Sequence, residues 1–162
     1  MSNDKSPAHP GVRFPPPFLF LVGLGLAWYL ETRIRRVHLT TSLPMSHVLY
    51  LIGAALLATG LVFMFWGLLT FARVRTGIVP MKPATQIVAH GPYRFSRNPM
   101  YSGMATAYLG GTFMVNSGWA LALLPFVMYA LYHLVIKREE RYLMAAFPAE
   151  YSDYTKRVRR WL

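Results

Sequence analysis

Residues 98–136 read NPMYSGMATAYLGGTFMVNSGWALALLPFVMYALYHLVI, a run without a single Asp, Glu, Lys or Arg. At ~1.5 Å rise per residue, one helix of that length would far exceed a hydrocarbon layer that ~20 residues cross. Asn116-Ser117-Gly118 stands near the middle and is turn chemistry. The run therefore predicts two apolar helices joined by a tight turn. Pro99 suits the first turn of the leading helix. Gly103, Ala107 and Gly111 fall four apart on it, a small-residue face that lets another helix approach closely.

Upstream, no charge interrupts Leu43 to Ala72, and Arg73 and Arg75 follow at once. Pro44 and Ser46 suit a helix start there. A shorter apolar run from Phe14 to Leu30 ends in Trp28-Tyr29, as aromatic belts do. It has no small-residue cleavage site and reads as a retained span. Gly23-Leu24-Gly25 lies inside it with no strand before it, so it is a packing feature and not a nucleotide loop. The expected organisation is a disordered tail over 1–13, two spans within 14–72 and a more polar region over 73–162. That region divides into a loop over 77–103, a helical hairpin over 99–137 and a helix over 138–162. The class is all-α, a polytopic membrane protein of about four spans.

Composition agrees. Of 162 residues, 54% are apolar, too many for the interior of so small a soluble domain. The net charge is nevertheless +11. A nucleic-acid binder would be basic without such uncharged runs, so no nucleic-acid partner is expected. There is no cysteine, which removes disulfides, thiolate metal sites and cysteine nucleophiles. No metal site is expected either: His9, His38, His47, His90 and His133 are not paired at ligand spacing.

The positive-inside rule sets an orientation. Arg73, Arg75, Lys82, Arg94 and Arg97 occupy one loop, and Lys137, Arg138, Arg141, Lys156, Arg157, Arg159 and Arg160 the tail. The turn at Asn116 to Gly118 carries no charge. Loop and tail are then cytosolic, in a multi-pass inner-membrane protein. Arg33, Arg35 and Arg36 conflict with this, because they would lie outside with the turn.

Two segments are more polar than connectors require. One runs from Thr85 to Gly103 and packs His90, Tyr93, Arg94, Arg97 and Tyr101 between turn signals Gly91-Pro92 and Asn98-Pro99. As an interfacial anchor it would also make sense, because Tyr and Arg belong at headgroup level. The other runs from Lys137 to Tyr154 and holds four of the six acidic residues, Glu139, Glu140, Glu150 and Asp153. Its ordinary reading is a solvated helix end with Glu139 and Glu140 paired to nearby Lys137, Arg138 or Arg141.

Together these segments resemble the isoprenylcysteine carboxyl methyltransferase family. His90-Gly91-Pro92-Tyr93 and Arg97-Asn98-Pro99-Met100-Tyr101-Ser102-Gly103 are similar to the family's Gly-x-Tyr and Arg-His-Pro-x-Tyr-x-Gly. Glu139-Glu140, Phe147, Glu150-Tyr151, Tyr154 and Arg157-Val158 resemble its tail. The match spans roughly residues 77 to 158, in order and spacing, and phospholipid methyltransferases share the paired Glu. Asn98 replaces the usual His and Pro148 the usual Gly. Val135 stands where the eukaryotic branch has a substrate-facing Arg, which leaves the acceptor open. The short N-terminal half is like that of a small prokaryotic-type member.

The resemblance implies an enzyme that uses S-adenosylmethionine (SAM) to methylate a lipophilic acceptor entering from the bilayer. The acceptor would be a small molecule or a lipid that offers a carboxylate, thiol or amine. The enzyme's cofactor pocket would lie at the cytosolic edge under the C-terminal helix. The implied cofactor residues are Thr85, Gln86, Ile87, Val88, His90, Gly91, Tyr93, Asn98, Pro99, Met100, Tyr101 and Glu139. Tyr93 and Tyr101 would offer ring faces to a cation, and Glu139 would accept hydrogen bonds. Arg97, facing a carboxylate, and Glu140 are the catalytic candidates, with Glu140 ~100° around the helix from Glu139.

Two other classes compete. Sterol reductases are similar in their C-terminal half and bind a nicotinamide cofactor, but their tails carry Arg-Asp where this chain has Glu139-Glu140. A non-enzymatic adaptor would use Lys156 to Arg160 on anionic lipid, which leaves the Glu pair unexplained. The oligomeric state is open.

Overall fold

The computed structural model describes residues 15–74 and 86–161, apart from the side chain of residue 74. Its elements are α1 (Pro16–Arg33), α2 (Leu43–Val74), a 3₁₀ turn (Gly91–Arg94), α3 (Pro99–Met114), α4 (Gly118–Leu131), a π turn (Tyr132–Ile136), α5 (Lys137–Ala146) and α6 (Pro148–Arg157). The only β contact among the described residues is an isolated bridge between His38 and Ser117. The long uncharged run thus breaks at Asn116-Ser117-Gly118 into α3 and α4. Among the described residues, two helices are long and apolar enough to cross a membrane: Leu43–Arg73, and the continuous rod Gly118–Ala146 formed by α4, the π turn and α5. Only 11% of the apolar window of the first is buried, so most of its apolar surface faces outward, as in a bilayer and not in a soluble core. α1 and α3 are shorter, at 18 and 16 residues.

α2 and α3 run antiparallel in backbone contact. A Cβ on Gly60 would stand 2.5 Å from the Ala107 nitrogen and 2.6 Å from the Gly103 carbonyl oxygen. A Cβ on Gly53 would meet the Gly110 carbonyl oxygen at 2.6 Å, and Gly110 abuts the Leu57 nitrogen. Gly67 receives Met100, whose Cγ would be 2.7 Å from an added Cβ. Without water to drive helices together, such close approach supplies dispersion contact between them. The small face of α3 is therefore Gly103, Ala107 and Gly110. Gly111, expected there from four-residue spacing, has open space beside it. A step of seven from Gly103 fits the partner spacing of Gly53, Gly60 and Gly67, and a step of eight overshoots the contact line.

α1 lies against α3 and α4. Gly23 fits against Val127 and Tyr108, whereas Gly25 faces open space. Phe20 packs at 6.1 Å from the Tyr108 ring, and the Tyr108 hydroxyl donates to the Ala120 carbonyl at 3.1 Å. These residues join Ala27, Tyr101, Leu131, Val135 and Ile136 in one buried cluster.

At the turn end, Asn116 adopts φ 56°, a left-handed conformation that Asn tolerates. Its Oδ1 accepts from the Leu39 and Thr40 backbone N–H groups at 3.0 and 3.1 Å, and its Nδ2 donates to the Thr40 carbonyl at 2.8 Å. Ser117 Oγ caps α4 by accepting from the Ala120 N–H at 3.0 Å. The Arg33–Arg36 stretch and the uncharged turn therefore share one end of the molecule, with the Trp119 indole donating to the Arg35 carbonyl.

The C-terminal stretch, expected as one helix over 138–162, is two helices and a tail. α5 continues the membrane rod, and Phe147 (φ −137°, ψ 63°) breaks it. Pro148 then opens α6, because proline lacks the N–H that a continuing helix would need. α6 ends at Arg157. The expected tail over 1–13 lies outside the described residues.

Candidate active site

The site forms where the loop before α3 meets α5 and α6. Gly91 (φ 61°) turns the loop against α2, where an added Cβ would stand 2.9 Å from Thr70 Oγ1. Only glycine meets both demands. Pro92, second in the 3₁₀ turn, precedes Tyr93, which is buried. The Tyr93 ring meets Phe71 edge-on at 4.8 Å, and its carbonyl accepts a 2.6 Å bond from the Tyr154 hydroxyl of α6. Its own hydroxyl is buried and has no hydrogen-bond partner among the described residues. Burial first, then Tyr154 and Glu139, raise the Tyr93 phenol far above its ordinary range, so it stays protonated and able to donate.

α5 presents two consecutive carboxylates to different neighbours. Glu139 faces α3, where the Tyr101 hydroxyl donates to its Oε1 at 2.8 Å. Glu140 faces the loop and tail. Arg160 grips it with Nε on Glu140 Oε1 at 2.8 Å and Nη2 on Glu140 Oε2 at 2.9 Å, and Arg97 Nη1 stands 3.2 Å from Glu140 Oε1. Arg97 also reaches the Tyr151 hydroxyl at 3.4 Å. Burial is the main cause of a raised Tyr151 phenol, with Glu140 adding to it and Arg97 opposing. Asn98 precedes α3, with its N–H on Ser96 Oγ and its Nδ2 on the Arg160 carbonyl.

Residues 48–150 match the phospholipid methyltransferase family. The chain belongs to that family. Among curated relatives, a cobalt-zinc-cadmium resistance protein of Cupriavidus metallidurans is 35% identical over 72 residues, 44% of this chain and 33% of that protein. The protein-S-isoprenylcysteine O-methyltransferase of Saccharomyces cerevisiae is 32% identical over 72 residues, 44% of this chain and 30% of the enzyme. A nickel-cobalt-cadmium resistance protein of Alcaligenes xylosoxydans xylosoxydans is 30% identical over 108 residues, 66% of this chain and 49% of that protein. The chain thus spans between 30% and 49% of the length of these relatives. No solved structure matches it significantly.

In this phospholipid methyltransferase family member, the residues singled out in the sequence divide into groups. Tyr93, Arg97, Asn98, Tyr101, Glu139 and Glu140 converge at the junction of loop, α3 and α5. Pro99 is fully buried at the start of α3, and Met100 serves the α2–α3 contact. Val88 is buried, Ile87 partly so, and Gln86 and His90 are exposed. Thr85 lies outside the described residues. Glu139 and Glu140 both contact other segments, α3 in the first case and the loop and tail in the second.

Sequence reasoning did not single out Ser96, Ser102 or Arg160 for the site. Ser102 Oγ and Arg97 Nε, like the Tyr93 hydroxyl, are buried without a partner among the described residues. Arg160 sits in a basic run that reads as solvated, and nothing in that run marks it apart from Arg157 or Arg159. The Tyr151 and Tyr154 positions were visible in the tail pattern, but their partners were not.

Proposed function

We propose that this protein is an integral membrane methyltransferase that binds SAM at the Tyr93–Tyr101–Glu139 junction and methylates a lipophilic acceptor. The observation that carries this reading is the pairing of Tyr101 with Glu139, beside a buried Tyr93 hydroxyl that has no partner of its own. Buried polar groups are nearly always hydrogen-bonded, and those left over point to a ligand. The unpartnered set — Tyr93 Oη, Ser102 Oγ and Arg97 Nε — suits a cofactor with ribose hydroxyls, a carboxylate and a cationic sulfur. When bound, SAM supplies an electrophilic methyl group on a sulfonium.

The chain's own residues then hold, orient and exclude water. Glu139 accepts from the cofactor's hydroxyls or ammonium. Tyr93 and Tyr101 bring rings and hydroxyls to the same place, and a ring face attracts a cation. Arg97 and Glu140, the catalytic candidates of the sequence, are engaged with each other and with Arg160, so their proposed part is to shape the site. The acceptor is a carboxylate, thiol or amine that reaches the site laterally from the bilayer. Its nucleophilic atom needs alignment more than a strong base. In this reading α1 and α3 also cross the membrane, giving four passes of the inner membrane with the site end cytosolic.

The test is equilibrium binding to detergent-purified full-length protein. Saturable SAM binding, no NADPH binding, and loss of SAM binding in Glu139→Ala with retained helicity are expected. NADPH binding in place of SAM would move the chain to reductase chemistry. Binding of neither by folded protein would favour the membrane adaptor.

A further inference from the structure

After α6 the backbone at Val158 becomes extended (φ −125°, ψ 130°) and runs back across the start of α3. The Arg97 N–H donates to the Arg159 carbonyl at 2.9 Å. Asn98 Nδ2 and Ser96 Oγ both donate to the Arg160 carbonyl, at 3.2 and 3.1 Å. The Arg160 guanidinium bonds both oxygens of Glu140 and lies 5.1 Å from the centre of the Tyr132 ring, at the start of the π turn. Trp161 packs against the buried cluster that contains Tyr101. Arg157 and Arg159 are exposed, whereas Arg160 is turned inward. One arginine of the basic tail therefore has an internal assignment.

These contacts close a circuit. Arg97 and Asn98 bind the tail, the tail binds Glu140, and Glu139 is the next residue along α5. Glu139 binds Tyr101, and Tyr101 lies one helical turn beyond Arg97 and Asn98. Consecutive residues on a helix are fixed ~100° apart, so holding Glu140 also sets the rotation of Glu139 toward α3. The planar fork of arginine holds both oxygens of a carboxylate, which lysine does not do. The Glu140 hydrogen bond is also the main reason the Arg160 guanidinium is held protonated above its ordinary range.

We propose that Arg160 is a positioning residue that latches the C-terminal segment across the site and thereby sets the affinity of the Tyr101–Glu139 junction for its cofactor. The affinity part rests on the SAM reading above; the latch itself does not.

The experiment uses the full-length protein in detergent, with Arg160→Ala, Arg160→Lys and the exposed-tail control Arg157→Ala. SAM affinity and amide hydrogen exchange are read in parallel. Arg160→Ala is expected to bind SAM about tenfold more weakly or worse, Arg160→Lys to recover only part, and Arg157→Ala to match wild type. Exchange at the Arg97 amide, which the tail carbonyl covers, is expected to rise about tenfold in Arg160→Ala while α2 and α3 keep their protection. Unchanged SAM affinity in Arg160→Ala overturns the positioning role. Exchange that rises throughout α2 and α3 also overturns it, because Arg160 is then merely structural. Should wild type bind no SAM, the function reading fails separately. The exchange arm then decides the latch, and a still-protected Arg97 amide in Arg160→Ala overturns it.

Discussion

At one end of the helices, Asn116 satisfies three backbone groups of the opposite loop and Ser117 caps α4. At the other end, a carboxylate is shared by two arginines, and three buried polar atoms have no partner among the described residues. Both ends join segments distant in sequence. The first does so with neutral groups whose bonding capacity is used. The second does so with charge, and with donors and acceptors to spare. Stability alone would favour the first arrangement, because an unpaired buried polar group costs ~1–3 kcal/mol. Among the described residues such groups gather at that end alone, which is the end where the proposed ligand site lies.

The glycine contact between α2 and α3 is the frame both ends share, and breaking it gives the largest effect. Gly60→Leu forces a side chain into backbone atoms that cannot yield. It should cost more than ~3 kcal/mol, at the top of the overpacking range, and detergent thermal melts should show both ends lost together. Gly111→Ala, in open space, is the control and should leave the melt equal or slightly higher.

Asn116→Ala addresses the neutral end alone. It removes three hydrogen bonds and places a less tolerant residue at φ 56°. A loss of ~2–3 kcal/mol in chemical unfolding is expected, with SAM affinity unchanged in the folded fraction. Asn116→Gly keeps the backbone freedom and should lose less. A drop in SAM affinity at this end would break the division of labour.

Tyr93→Phe is the smallest change and the sharpest one. Deleting an unpartnered buried hydroxyl should leave the melt unchanged or raise it slightly. SAM affinity should fall by about threefold to tenfold, the value of one hydrogen bond. A destabilised Tyr93→Phe with normal SAM affinity would show that the hydroxyl has a structural partner.

Much of this was readable from local patterns. The absence of charge over 98–136 and the turn residues at 116–118 locate α3 and α4, because hydropathy and turn chemistry act within a few residues. The Glu pair and the Tyr93 to Gly103 loop stood out for the same reason. The partners of those residues were not readable. Glu140 finds Arg160 only after a helix break at Phe147-Pro148 and an extended step at Val158, and no periodicity encodes that meeting. The glycine face was half visible: Gly53, Gly60 and Gly67 recur every seven residues in the sequence, but choosing Gly110 over Gly111 needed the partner helix. The π turn over 132–136 has no Gly or inserted Pro to announce it.

The rod from Gly118 to Ala146 has one further consequence. Its apolar length and its two carboxylates belong to one continuous helical element, which contains Pro125 and the π turn. A helix longer than the hydrocarbon layer adjusts by tilting, and the tilt follows bilayer thickness. Glu139 and Glu140 ride on that rod while Tyr101 and Arg160 belong to other segments, so the site is expected to feel the acyl-chain length of the surrounding lipids, and SAM affinity compared between short-chain and long-chain bilayers would check it.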